Sequence, residues 1–157
     1  VVGADGVFST TRALAFGDIP LRDTQLSIVR WVIDTSEGIV PGLYQNEQDG
    51  IAVVVTTNDA TYIASTFDTP PGHEPTEQQG IEELRQSFSR FSTSTFRVLE
   101  GHLSEKSSVI VRAFKTLLLD KPWNVGRVVL VGDAAHTVTS HLAYGGGLAV
   151  EDVAVLS

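Results

Sequence analysis

The reading of the chain turns on residues 128–156, VVLVGDAAHTVTSHLAYGGGLAVEDVAVL. The apolar run at residues 128–131 stops at Gly132 and carries a carboxylate, Asp133, at its tip. Small and hydroxyl residues follow, then Gly145, Gly146 and Gly147, then apolar residues at helical spacing from Leu148 onward. Strand-to-helix connections in compact domains are usually only a few residues long. A longer loop with glycine at both margins is the form of a backbone that lies against a ligand. Glycine lets backbone N–H groups approach an anionic or carbonyl oxygen, and a carboxylate accepts hydrogen bonds from ligand hydroxyls.

The opening of the chain repeats this design. Val1-Val2-Gly3-Ala4-Asp5-Gly6 reads as a strand end followed by a glycine-flanked acid, and Ser9-Thr10-Thr11-Arg12 can cap a short helix through 13–16. Each end of the chain therefore offers a strand terminus with a carboxylate at its tip, the place where α/β sheets bind ligands. A sugar-phosphate cofactor satisfies both the acids and the glycines.

Between the ends, strands precede helices. Residues 26–33 are rich in β-formers, and 51–56 and 61–67 flank the turn signal Asn58-Asp59 as a hairpin, which implies an antiparallel sheet. After Thr69-Pro70-Pro71-Gly72, Thr76 and Gln79 form a capping-box pattern, and Ile81, Leu84, Phe88 and Phe91 share one helical face. A second short helix is expected at 96–103, a strand at 108–114, and a turn at 121–124 leading into the run at 128.

Composition narrows the function classes. The chain has 157 residues, 42% of them hydrophobic, enough for an ordinary domain core. A net charge of -8 with scattered Lys and Arg leaves no footprint for nucleic acid or an anionic membrane. No apolar run reaches bilayer-spanning length and no basic-then-apolar leader opens the chain. The absence of cysteine removes disulfides, thiolate nucleophiles and Cys-based metal sites. A soluble, cytoplasmic protein is the expectation. With no methionine, an opening inside a strand and no cap after the last helical residues, the chain reads as cut at both ends.

Gly-Ala-Asp-Gly-x-x-Ser-x-x-Arg at 3–12, and Gly-Asp-Ala-Ala-His at 132–136 with the triple glycine and Glu151-Asp152 behind it, resemble the two downstream motifs of the FAD-dependent aromatic hydroxylases. These are single-component flavin monooxygenases of the p-hydroxybenzoate and salicylate hydroxylase type. Both motifs stand in the expected order, with Pro122-Trp123-x-x-Gly126-Arg127 leading into the second. The family's N-terminal βαβ unit, with its G-x-G-x-x-G loop, has no counterpart in this sequence, and Ser140 stands where family members usually carry proline.

The resemblance implies a fold of α+β or α/β class. Parts of a Rossmann-like FAD domain, at 1–20 and 126–157, would flank a mixed, mainly antiparallel substrate-binding sheet at 21–125. It implies a monooxygenase that consumes NADH or NADPH and molecular oxygen and hydroxylates a small aromatic or heteroaromatic substrate through a flavin C4a-hydroperoxide. Asp133 would hydrogen-bond a ribityl hydroxyl of FAD. Gly132, Gly145, Gly146, Gly147 and Leu148 would follow the isoalloxazine ring, with the Gly146 and Gly147 N–H groups at the helix start facing its carbonyl edge and stabilising charge on the reduced flavin. Asp5 and Gly6 would lie near the pyrophosphate and ribose, with Arg12 holding the turn or an anionic group. His141 would border the substrate as a catalytic donor, and Arg30, Tyr44 and Tyr62 on the middle sheet would contact the substrate, while Trp31 and Phe67 belong to the core.

Other readings of the same residues stand beside these. Asp5 and Asp133 are also ordinary turn formers. His136 reads as structural, and His136 with His141 lacks the carboxylate spacing of a zinc motif, so no metal is expected. Glu151 and Asp152 read as solvated or capping. At the level of the whole protein, the alternatives are a related flavoprotein epoxidase or reductase, or a non-catalytic α+β binding module.

Overall fold

The computed structural model describes residues 1–45, 51–120, 122–140 and 143–156. In chain order the elements are β1 (Val2–Gly3), α1 (Thr10–Phe16), β2 (Arg22–Ile33), β3 (Gly42–Gln45), β4 (Ile51–Thr56), β5 (Thr61–Asp68), α2 (Glu77–Ser89), α3 (Ser94–His102), β6 (Val109–Thr116), β7 (Asn124–Val125), β8 (Val128–Leu130), a 3-10 turn at Gly132–Ala134, and α4 (Gly145–Leu156). The chain divides into two compact units, Val1–Thr24 with Phe114–Ser157, and Gln25–Ala113.

The central unit is built on a five-stranded sheet in the order β3-β4-β5-β2-β6, in which β3, β4, β5 and β2 pair antiparallel in turn. Along β2, Ser27, Val29, Trp31 and Ile33 are buried on one face, and the register places Ser65, Ile63 and Thr61 of β5 opposite Val29, Trp31 and Ile33. The period-two alternation thus sends one side of the sheet into a core shared with α2 and α3.

α2 supplies Ile81, Leu84 and Phe88 to that core, one face of a 3.6-residue period. Its start is fixed by a complete capping box: Gln79 N–H donates to Thr76 Oγ1, and Thr76 N–H donates to the Gln79 side-chain oxygen. Gly80 is what lets this helix lie close to the sheet, because a Cβ there would collide with a Val111 methyl and come 3.2 Å from one of Val29. An aromatic cluster closes the core. Phe91 stacks on Phe96 with centroids 4.4 Å apart, and Tyr44 meets Phe96 edge-on at 4.8 Å.

In the terminal unit β1 pairs parallel with β8, Val2 opposite Val129 and Gly3 opposite Leu130, while β7 runs antiparallel to β8. Gly3 permits this pairing: a Cβ there would sit 2.6 Å from Leu130 and 2.7 Å from Thr11. Leu119, Leu130, Ala134 and Ala135 form the small buried core of this unit.

The mixed, mainly antiparallel architecture agrees with expectation, as do the hairpin, both central helices and β6. Three details differ. β2 begins at Arg22, four residues earlier than its β-forming run. α2 ends at Ser89, so Phe91 reaches the core from beyond the helix. β3, with the sequence GLYQ, was not anticipated; it is four residues long and opens on glycine, too short and too weak in β-formers to carry a pattern.

Candidate functional site

The terminal unit brings the two glycine-acid motifs around one cavity of about 590 Å³. Ala4 and Gly6 from the first motif, Gly132 and Asp133 from the second, and Gly145 and Gly146 from the start of α4 all line it. Its shape follows from how the chain leaves β8.

Gly132 turns the chain with φ +56°, in the left-handed region that favours glycine, and Ala135 and His136 N–H groups donate to its carbonyl at 2.8 and 2.9 Å. A Cβ on Gly132 would also come within 3.0 Å of the Ala149 Cβ on α4. The turn and α4 are tied by a carboxylate. Asp152 Oδ2 accepts from Gly132 N–H at 2.7 Å and hydrogen-bonds His136 Nε2 at 2.6 Å. The His136 ring lies 4.7 Å from the Trp123 ring. Burial acts to raise the Asp152 pKa, but the hydrogen bonds from Gly132 and His136 outweigh it and hold the group below its ordinary value.

The loop is anchored from two further directions. Leu117 N–H donates to Thr137 O and Leu119 N–H to Ala135 O, at 3.0 and 3.1 Å. Arg12, only 5% exposed, donates from Nη1 to Ala134 O at 3.0 Å and from Nη2 to Val7 O at 2.8 Å, so one guanidinium clasps both motifs. Asp5 is engaged locally. Ser9 Oγ, Thr11 N–H and Thr11 Oγ1 all donate to its carboxylate, and the Ser9 and Thr11 hydrogen bonds hold it well below the usual carboxylate range.

Asp133 differs from both of these acids. Its carbonyl accepts from Thr137 Oγ1 at 2.6 Å; the residue is exposed and lines the cavity, and its carboxylate has no partner among the described residues. Gly145 and Gly146, in the first turn of the 12-residue α4, line the same cavity, and their N–H groups have no partner among the described residues; the α4 ladder opens with Leu148 N–H on Tyr144 O at 3.0 Å. Beside Gly146 a Cβ would meet nothing within 4 Å. A carboxylate and helix-start N–H groups without described partners, lining one cavity beside an open backbone, fit a cofactor that presents hydroxyls and carbonyl oxygens, as the ribityl and ring portions of FAD do.

The other sequence-derived candidates fall into three groups. Gly147 and Leu148 are in α4 but do not line the cavity; Gly147 lies under the Tyr144 ring, 3.3 Å from where its Cβ would be. Arg30 and Tyr62 share the sheet face opposite the central core, whereas Tyr44 lies on the core face, opposite Ala52, with its hydroxyl donating to Val40 O at 2.7 Å. His141 lies outside the described residues. The Asp152–His136 pair was missed because sixteen residues separate the partners and no local period links them. Among the described residues no three His, Asp or Glu groups gather as metal ligands, and no helix is long and apolar enough to cross a membrane.

A family model described as FAD binding domain matches residues 1–157. The chain is 33% identical to the aurachin C monooxygenase/isomerase of Stigmatella aurantiaca, over all of this chain and 41% of that protein. It is 26% identical to the FAD-dependent urate hydroxylase of Mycolicibacterium vanbaalenii, over 99% of this chain and 40% of that one. Its fold matches Klebsiella pneumoniae HpxO complexed with FAD and uric acid, with a TM-score of 0.79 at 22% identity, over 99% of this chain and 41% of that one.

Proposed function

The chain belongs to the FAD binding domain family, and from that premise we propose that the protein containing it is an FAD-dependent monooxygenase acting on a small aromatic or heteroaromatic compound. The chain spans about two fifths of the length of the curated relatives reported above. The observation that carries the proposal is the convergence of both glycine-acid motifs on one cavity, which is lined by Asp133, whose carboxylate has no partner among the described residues, and by Gly145 and Gly146 at the start of α4. The relatives named for urate and uric acid support a heteroaromatic substrate class.

When bound, the flavin supplies oxygen activation at its C4a position after reduction by NADH or NADPH. The chain supplies binding and charge. Asp133 accepts a ribityl hydroxyl, and the Gly145 and Gly146 N–H groups, at the positive end of α4, stabilise negative charge on the ring's carbonyl edge. Gly6 borders the same cavity, and Asp5 secures the turn after β1 by fixing Ser9 and Thr11. Arg12, His136 and Asp152 keep the Gly132 turn in register with α4.

In this reading the terminal unit is the portion of the FAD domain and the central unit is the substrate domain, with Arg30 and Tyr62 on its open sheet face as substrate contacts. Tyr44 stays with the aromatic core. His141 follows from sequence alone as a donor beside the substrate, and His141→Ala is expected to uncouple the enzyme, so that NAD(P)H oxidation continues as hydrogen peroxide while hydroxylated product falls. The test of the function is isotopic. Full-length protein should purify with FAD and, with NAD(P)H under ¹⁸O₂, place one labelled oxygen atom in an aromatic product. A flavin-free protein, or a product labelled only from water, overturns the proposal.

A further inference from the structure

α4 carries Gly145, Ala149 and Asp152 on one stripe, at the i, i+4, i+7 spacing that aligns residues along a helix. The stripe crosses the Gly132 turn. Gly145 and Ala149 line the cavity, and Ala149 lies against Gly132, where an added Cβ would come within 3.0 Å of its own. Two turns into the helix, about 10 Å from Gly145 along the axis, Asp152 Oδ2 accepts from Gly132 N–H at 2.7 Å and meets His136 Nε2 at 2.6 Å. Apolar packing within the unit gives the helix little hold: none of its residues is buried, and Val150 and Val155 are 70% and 87% exposed.

The imidazole is itself held in place. Its ring lies 4.7 Å from that of Trp123, whose Nε1–H donates to Leu119 O at 3.3 Å, and Leu119 N–H donates to the carbonyl of Ala135, the residue before His136. Both side chains of the pair are nearly withdrawn from water, at 9% and 13% exposure, where a hydrogen bond is electrostatically stronger than in solvent. Two turns of helix move as one body, so a shift that stretched the Asp152 contacts would carry Gly145 and Gly146 with it. The other end of the tie is Gly132, one residue before Asp133. One hydrogen-bonded pair therefore fixes the spacing between two groups that line the cavity from different elements, Asp133 and the first turn of α4.

Resting on the reading of this cavity as a flavin site, we infer that His136 and Asp152 are positioning residues for the cofactor: the donor at His136 Nε2 holds the start of α4 where its Gly145 and Gly146 N–H groups favour negative charge on the ring, and so makes the bound flavin easier to reduce. Neither side chain lines the cavity, so the pair acts through the helix and not by contact. The competing role is stability alone, a buried pair whose loss loosens the unit and leaves the flavin's chemistry as it was.

The test uses full-length, FAD-loaded protein and reads the flavin's reduction potential by equilibration with a reference dye, beside FAD affinity and the thermal midpoint. His136→Leu fills the space and lacks the donor; His136→Gln restores an N–H near the place of Nε2. In His136→Leu the equilibrium should shift about fivefold or more toward oxidised flavin, about 20 mV for a two-electron couple, a size that misplaced helix-terminal donors can supply. In His136→Gln the potential should stay at the wild-type value. A potential unchanged in His136→Leu, with only the thermal midpoint lowered, leaves the stability role and overturns the inference. A potential lowered equally in both variants overturns it too, since that follows from loss of the imidazole itself and not of the donor. If His136→Leu retains no flavin, His136→Asn, whose amide stops short of Asp152, is read in its place against the same outcomes. Flavin content of the wild type is measured first: a flavin-free wild type overturns the flavin reading and the inference with it, whereas a flavin-loaded wild type with unmoved potentials in the variants counts against the pair alone.

Discussion

Asp5, Asp133 and Asp152 belong to two glycine-acid motifs, yet each carboxylate has a different task. Asp5 binds Ser9 and Thr11 within its own turn, Asp152 binds the Gly132 N–H and His136, and Asp133, which lines the cavity, has no described partner for its carboxylate. Removing Asp133 therefore costs the fold little and the cofactor a charged acceptor. Asp133→Ala in the full-length protein is expected to weaken FAD binding by about 1.5–3 kcal/mol, roughly ten- to a hundredfold, with the thermal midpoint of the flavin-free protein unchanged; flavin titration and thermal melts measure both. Asp152 predicts the reverse pattern, a loss of stability. Its folded pKa lies below the ordinary value of 3.8, so it binds its proton more weakly when folded. Its stabilisation is complete above that value and is lost as pH falls through the folded pKa. Denaturant midpoints between pH 6 and pH 3 should fall on acidification, and fall less steeply in Asp152→Asn. Equal slopes would mean that the carboxylate does not contribute.

At the scale of elements, α2 shows how tightly the sequence specifies packing. Gly80→Ala adds helix propensity of up to about 1 kcal/mol, but the added methyl meets Val111 and Val29 in a stiff β-branched layer, and overpacking of this kind costs about 1–3 kcal/mol. The expected outcome is net destabilisation, read as a lower chemical-denaturation midpoint; a rise would show that α2 has room to shift. Thr76→Ala should cost about 1 kcal/mol through loss of the cap. Elements with strong local signals were readable in advance: the capping box at Thr76 and Gln79, the β4–β5 hairpin, and the glycine-acid turns. β3 was not, because GLYQ carries no periodicity and its pairing with β4 is a tertiary fact. Strand faces were legible only in part. Trp31 as core followed from bulk, but the separation of Tyr44 from Arg30 and Tyr62 depends on the β3 register, and a slip of one residue reverses a face. His136 and Asp152 escaped for the same reason: a contact across sixteen residues leaves no mark in local spacing.

Across the whole molecule, the segments that frame the cavity come from opposite ends of the chain, Val1–Thr24 and Phe114–Ser157, while Gln25–Ala113 forms a unit of its own. Family membership and fold were within reach of the sequence because the two glycine-acid motifs stand together in the family's order, although each acid alone is an ordinary turn former; the substrate was not, because it depends on one face of a sheet. The cavity of the terminal unit, lined by Asp133 and the start of α4, is proposed to hold the ribityl and ring portions of FAD. A crystal structure of the full-length protein with FAD bound tests it most directly. The Asp133 carboxylate is expected at hydrogen-bond distance, about 2.5–3.0 Å, from a ribityl hydroxyl, with the Gly145 or Gly146 N–H directed at the flavin's carbonyl edge. Flavin bound elsewhere, or Asp133 turned to solvent with the ring away from α4, would contradict it.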